Sequence, residues 1–232
     1  LRSFYQYYFA FGGLHSNPAK LVNSPRIHNK KQSRLDSDEM KELLTDVITG
    51  DALDDNKKPY ARRSNMRDTA IIALLGGTGI RVSELVGIDL NDIDWEHNCI
   101  RIIRKGGNED IVYFGDELHR YLEDYINYER EPGDDKEKAL FVASRKDKGR
   151  LTVRSVERIV SKYGTATIPS KHLSPHSLRR TFGTNYYEET SDLYAVADAL
   201  GHKNIQVTKD HYADISERKK QQVKEFSDKL LK

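Results

Sequence analysis

Three short stretches of this 232-residue sequence carry side chains that can hold or attack a phosphate. In GGTGIRVSEL, glycines end one helix and Arg81 lies at the start of the next, near free backbone N–H groups and the positive end of a helix dipole, where an anion is favoured. Glu84 follows three residues on, on the same face, and can fix the guanidinium. The stretch has neither the Gly-Lys-Ser/Thr of a phosphate loop nor the third glycine of a dinucleotide fingerprint, and taken alone it also fits a structural turn with a surface ion pair. In SPHSLRRTFGTNYYEE, Ser174 reads as an N-cap and Pro175 as the first helical residue. That puts His176 in the first turn and Arg179 one turn later on the same face, where imidazole and guanidinium can donate several hydrogen bonds to one anion.

The third stretch, LYAVADALGHKNIQVTKDHYADI, reads as helix, turn, helix: Gly201 closes one helix, His202 follows directly, and Tyr212 comes ten residues after His202. A DNA-reading helix-turn-helix is the alternative. Lys105 stands apart from these three, where a strand enters a hairpin turn, and its ammonium can project from the tip toward a ligand lying across the sheet. Each position also has a plain reading: turn lysines are commonly solvated, and Tyr212 is one of 13 tyrosines. His172 and His176 are four apart, but Pro175 between them disfavours the single helix that a two-histidine metal face needs. No carboxylate cluster offers a metal site.

Taken in order, Arg81 in TGIRVSEL, Lys105 at the hairpin, His176 and Arg179 in HSLRRTF, His202 in LGHKNI and Tyr212 resemble the tyrosine recombinase and integrase family. The resemblance covers about Leu35 to the C-terminus. It implies a mainly α fold with a small antiparallel β-sheet, two phosphate-binding arginines in Arg81 and Arg179, and a nucleophile in Tyr212. His176, His202 and Lys105 complete the implied site, with Glu84 behind Arg81. It further implies a double-stranded DNA substrate, a 3′-phosphotyrosine intermediate, strand exchange in a tetrameric synapse with possible accessory DNA-binding proteins, and no metal, ATP or other cofactor. Lys30, Lys31, Arg34, Arg180 and Lys203 are the expected DNA contacts. The family often has a second histidine where Arg180 stands, and basic residues where this hairpin has Asn108 and Asp110. The spacing of His202 and Tyr212, with Arg180, points to a mobile-element integrase over a housekeeping Xer-type resolvase. A type IB topoisomerase-like enzyme and a non-cleaving DNA-binding regulator are the alternatives.

The elements that must position these residues follow from periodicity. The aromatic segment 1–13 looks like the end of a helix belonging to an N-terminal core-binding domain, and Leu1 in place of Met reads as a truncation. Residues 14–34 carry two prolines and five Lys or Arg, which is an extended basic linker. The catalytic domain is expected over 35–232. It opens on a helix capped by Asp36 or Ser37, with Met40, Leu43, Leu44 and Val47 on one face. A helix over RDTAIIALLGG, apolar nearly all round, should be central and stop at Gly76 and Gly77. A hairpin over CIRIIRKGGNEDIVYFG, a helix over DELHRYLEDYINYERE, a loop from Pro132 to Lys138 and a short strand ALFVAS follow, then mostly helix. The tail SERKKQQVKEFSDKLLK is a basic amphipathic helix with Val223, Phe226 and Leu230 on one stripe, suited to docking on a neighbouring protomer or on its own domain.

Composition sets the bounds. Charged residues make up 32% of the chain and mean hydropathy is −0.73, the values of a polar soluble protein. The longest strongly apolar run near the middle, Ala70 to Leu75, is far short of the ~20 residues a membrane helix needs. A lone cysteine, Cys99, excludes an internal disulfide and multi-cysteine zinc, and fits a reducing cytoplasm. A net charge of +2 is too small to point to nucleic acid by itself, so local charge must carry that inference.

Overall fold

The computed structural model describes residues 1–23, 34–130, 138–143 and 149–201. The chain divides into two compact units, 1–32 and 33–232. In the first, helix α1 (Arg2–Ala10) carries the aromatic segment and buries none of its residues, and a single 3₁₀ turn (Pro18–Lys20) is capped by the Asn17 side chain.

The second unit opens on α2 (Ser37–Thr49). Asp36, not Ser37, is its cap, accepting from the backbone of Asp38 and Glu39 while Glu39 reaches back to the Asp36 N–H. Leu43 and Val47 are buried and Met40 and Leu44 pack against the same core. After a one-turn helix α3 (Lys58–Ala61) comes α4 (Asn65–Thr78), with ten of its 14 residues buried. It is the central element, packed against α2 and against four later helices. The expected stop at Gly76 and Gly77 is wrong, because α4 runs on to Thr78 and ends at Gly79, which adopts the left-handed conformation at φ 65°. Gly76 instead admits α2: a Cβ there would lie 2.3 Å from Met40 Cε.

Helix α5 (Val82–Gly87) follows at once, then β1 (Ile93–Asp94), β2 (Cys99–Ile103) and β3 (Glu109–Tyr113), an antiparallel sheet in the order β1-β2-β3. The hairpin pairs Cys99 with Tyr113 and Ile103 with Glu109. Strand alternation buries Ile100, Ile102 and Val112 on one face and leaves Ile103, Ile111 and Tyr113 on the other. The lone Cys99 is buried and free.

Helix α6 (Asp116–Asp124) stops short of the expected length, and its last turn widens into a π-helix over Tyr125–Glu129. The expected strand at ALFVAS forms no strand among the described residues. Asp89 bridges Ala139 and Val142 bridges Arg150 singly, so this buried run is pinned by two isolated pairs. The expected loop 132–138 falls almost wholly outside the described residues. Helices α7 (Val153–Thr167), α8 (Pro175–Thr190) and α9 (Leu193–Ala199) follow, the last two sharing a small core of Tyr187, Val196 and Leu200. Thus the observed fold is the expected one, mainly α with one small antiparallel sheet. Among the described residues no helix is long and apolar enough to cross a membrane.

Candidate functional site

Four segments meet where α4 ends: the α4–α5 turn, the hairpin turn, α8 and the end of α9. Gly79 leaves α4 in a conformation that suits glycine, and a Cβ there would lie 2.4 Å from Phe182 Cδ1 and 2.9 Å from Leu200 Cδ2, so α8 and α9 close directly on its backbone. Two residues later Arg81 is the N-cap of α5. Its own N–H donates to Glu84 Oε2 at 2.7 Å, and its Nη1 donates to Glu84 Oε1 at 2.8 Å. The predicted Arg81–Glu84 pair therefore forms, with the carboxylate buried and the guanidinium about one-third exposed.

Arg179 comes from α8, which starts as the sequence indicates: Ser174 caps it, in a reciprocal box with Ser177, and Pro175 is its first residue. His176 is exposed in the first turn, while Arg179, one turn on, is buried. The Arg179 guanidinium donates through Nη1 to the Gly79 carbonyl and through Nη2 to the Leu200 carbonyl. It staples the ends of α4 and α9, whose terminal carbonyls have no partner within their own helices and lie at the negative dipole end.

The end of α9 gathers three arginines. Ala199 O accepts from Arg104 Nη2 at 3.2 Å, Leu200 O from Arg179 Nη2, and Gly201 O from Arg81 Nη2 at 3.5 Å. Three successive carbonyls are thus each held by a different cation, drawn from the hairpin, α8 and the α4–α5 turn. The next residue in the chain is His202.

Arg104 was not singled out from the sequence. It sits at the inner edge of the hairpin turn, buried, and donates to Glu84 Oε2 at 3.1 Å and to Asp110 Oδ2 at 2.8 Å. The signal was present: in β2 the alternation that buries Ile100 and Ile102 puts position 104 on the same inward face, where a cation requires carboxylate partners. Lys105, the next residue, is exposed in the turn, which closes through Arg104 N–H to Asn108 O at 2.8 Å.

Of the expected site residues, Arg81, Glu84 and Arg179 come together around the carbonyls at 200 and 201, and Lys105 is carried on the hairpin that Arg104 ties to the same place. Arg180 is half-buried on α8, and Arg34 is engaged with Glu188 at 3.1 Å. Lys30, Lys31, His202, Lys203, Tyr212 and the amphipathic tail lie outside the described residues.

A helical unit with a three-stranded antiparallel sheet and an arginine pair at the junction of α4, α8 and α9 has the catalytic-domain fold of tyrosine recombinases. The chain belongs to the phage integrase family, whose model matches residues 33–219. It is 36% identical over 208 residues to tyrosine recombinase XerC of Vibrio cholerae serotype O1, covering 90% of this chain and 62% of that relative. Among solved structures, XerH site-specific recombinase bound to palindromic difH substrate shares the fold with a TM-score of 0.68 at 22% identity, over 86% of this chain and 55% of that one. XerA recombinase does so at 0.65 and 22%, over 90% and 76%.

Proposed function

We propose that this chain is the catalytic portion of a site-specific DNA recombinase that cuts and rejoins double-stranded DNA through a covalent bond to Tyr212. The observation that carries the reading is the meeting of Arg81 and Arg179 at the adjacent carbonyls of Gly201 and Leu200, one step before His202, in a member of the phage integrase family.

A phosphodiester repels nucleophiles, and its five-coordinate transition state gathers more negative charge on the nonbridging oxygens. Cations fixed before the reaction answer that charge without reorganising. Arg81 and Arg179 take this role, with His202 donating to a nonbridging oxygen. A free phenol ionises only near ~10, so Tyr212 needs a proton acceptor, which is His176. Its oxygen bonds to phosphorus, the bond from phosphorus to the 5′ oxygen breaks, and Lys105 gives the departing 5′ hydroxyl its proton. The 3′ phosphotyrosine keeps the bond energy, so an incoming 5′ hydroxyl reverses the steps without ATP.

Lys30, Lys31, Arg34, Arg180 and Lys203 extend the contact along the backbone, residues 1–13 belong to a preceding clamp domain, and 14–34 is the tether. Exchange takes place in a tetramer on DNA, in the cytoplasm at the nucleoid. Integration or excision of a mobile element is the finer reading, drawn from the His202–Tyr212 spacing and Arg180. The 36% identity to XerC favours a second, a Xer-type recombinase.

The test is a denaturing gel of the full-length protein with a nicked duplex bearing its site. A covalent adduct is expected, lost in Tyr212→Phe. No adduct from the wild type, or one that survives in the variant, refutes the mechanism. Relaxation of supercoiled plasmid without recombinant products would instead indicate a topoisomerase.

A further inference from the structure

We propose that Arg104 is a positioning residue for this reaction, a brace that holds the Lys105 hairpin, the Arg81–Glu84 pair and the end of α9 in one register. The proposal rests on the recombinase reading above. Arg104 reaches three elements at once: its Nε meets Asp110 on β3, one Nη meets Glu84 on α5, and the other meets the Ala199 carbonyl at the end of α9. A planar guanidinium can do this and an ammonium cannot, because the three acceptors lie around a fork.

The fit is close. A Cβ at Gly201 would stand 2.7 Å from Arg104 Nε and 2.8 Å from its Cζ, so the residue before His202 is held against the guanidinium face. Gly201 also has a φ of 59°, so its backbone and its neighbour both call for glycine.

Charge gives the brace a second effect. Glu84 is shared, one oxygen with Arg81 and the other with Arg104, and Asp110 adds a second carboxylate. Among the described residues, three arginines face these two carboxylates and leave a net positive charge. Removing Arg104 takes one positive charge from this place, and the field needed by a phosphate would fall. Asp110, which departs from the basic residue the family resemblance leads one to expect, thereby has a role: the cation comes from position 104 on the opposite side of the turn, and Asp110 fixes it.

The experiment compares wild type with R104A, D110N and R104A/D110R in the full-length protein, measuring DNA affinity, single-turnover adduct formation, thermal melting and amide exchange. R104A should bind DNA within a few-fold of wild type yet form adduct about 100-fold more slowly, the scale of a small misplacement of reacting groups. D110N, which leaves Arg104 paired with Glu84, should slow adduct formation less and covers the case that R104A does not fold. R104A/D110R, which supplies a guanidinium from the facing strand, should recover part of the rate. Exchange needs no cleavage: the Gly107 and Gly201 amides should exchange faster in R104A. A rate unchanged in R104A, or rate, affinity and melting falling together without recovery in the double variant, overturns the brace. So does unchanged exchange, even where the wild type forms no adduct and the Tyr212 mechanism has itself failed.

Discussion

The guanidinium of Arg179 donates to the carbonyl of Gly79, a hundred residues earlier in the chain, and with its other nitrogen to Leu200. These two hydrogen bonds to two helix ends make Arg179 part of the frame as well as of the proposed anion site. Arg81, about one-third exposed and held by Glu84, has less structural duty. The two arginines should therefore separate experimentally.

Arg179→Ala is expected to lower stability by about 3 kcal/mol, because two charge-assisted hydrogen bonds at about 1.5–3 kcal/mol each are lost from a buried place and partly offset by relaxation. Arg81→Ala should melt near the wild type. Both should reduce adduct formation by about 10²–10³-fold, the usual effect of deleting a preorganised donor. Urea titration and the gel assay run on the same samples read the two effects. An Arg81→Ala protein that still forms adduct at the wild-type rate would remove Arg81 from the site.

Glu84 is nearly inaccessible and faces two guanidinium groups. Glu84→Ala leaves Arg104 buried with Asp110 as its one remaining carboxylate, and breaking a buried ion pair in this way costs about 3–5 kcal/mol. Glu84→Gln, which can still accept from the Arg81 N–H, should cost clearly less. The comparison is made by urea midpoints, and equal losses in the two variants would show that shape and not charge fixes this position.

Much of this arrangement was legible in the sequence because it is local. The helix start at Asp36 or Ser37, the Ser174 cap, Pro175 at a first helical position, the Arg81–Glu84 spacing and the hairpin each depend on residues within one turn, where side-chain chemistry decides conformation. The failures are where distant packing decides. Gly76 and Gly77 look like a helix end, but Met40 from α2 fills the space over Gly76 and the helix continues to Gly79. ALFVAS has strand composition, yet it finds partners at Asp89 and Arg150 singly and builds no ladder. The place of Arg104 is hidden in the sequence because its three acceptors come from α5, β3 and the end of α9, which sequence spacing does not bring together.

Gly79 offers a purely structural test. An alanine at that site meets a left-handed backbone and the Phe182 ring, so Gly79→Ala should lose about 1–3 kcal/mol, as overpacked cores do. For a chain of this size each kcal/mol is about 2–4 °C in Tm. Because the Gly79 carbonyl is also an acceptor for Arg179, the variant should slow adduct formation more than its lost stability accounts for. A Tm unchanged from the wild type would mean that Phe182 and Leu200 move aside freely.

The far end of α4 gives a prediction in pH. Tyr163 is fully buried on α7, and its hydroxyl donates to Asp68 Oδ2 at 3.3 Å, an oxygen that also accepts from Lys162 Nζ at 2.9 Å. Burial first, then the adjacent Asp68 charge and that hydrogen bond, push the phenol well above its ordinary value. In the unfolded chain the same phenol ionises near ~10, so above that pH the folded state keeps a proton that the unfolded state releases. The contribution to stability is fully present below about pH 10 and is lost as pH rises toward the folded value, with a slope of at most about 1.4 kcal/mol per pH unit. Tyr163→Phe should be somewhat less stable near neutrality, by about 1 kcal/mol for the lost hydrogen bond, and should show a shallower alkaline decline. Urea unfolding of both proteins from about pH 8 to about pH 11 measures the difference in slope directly, and parallel curves would show that Tyr163 does not carry the alkaline limb.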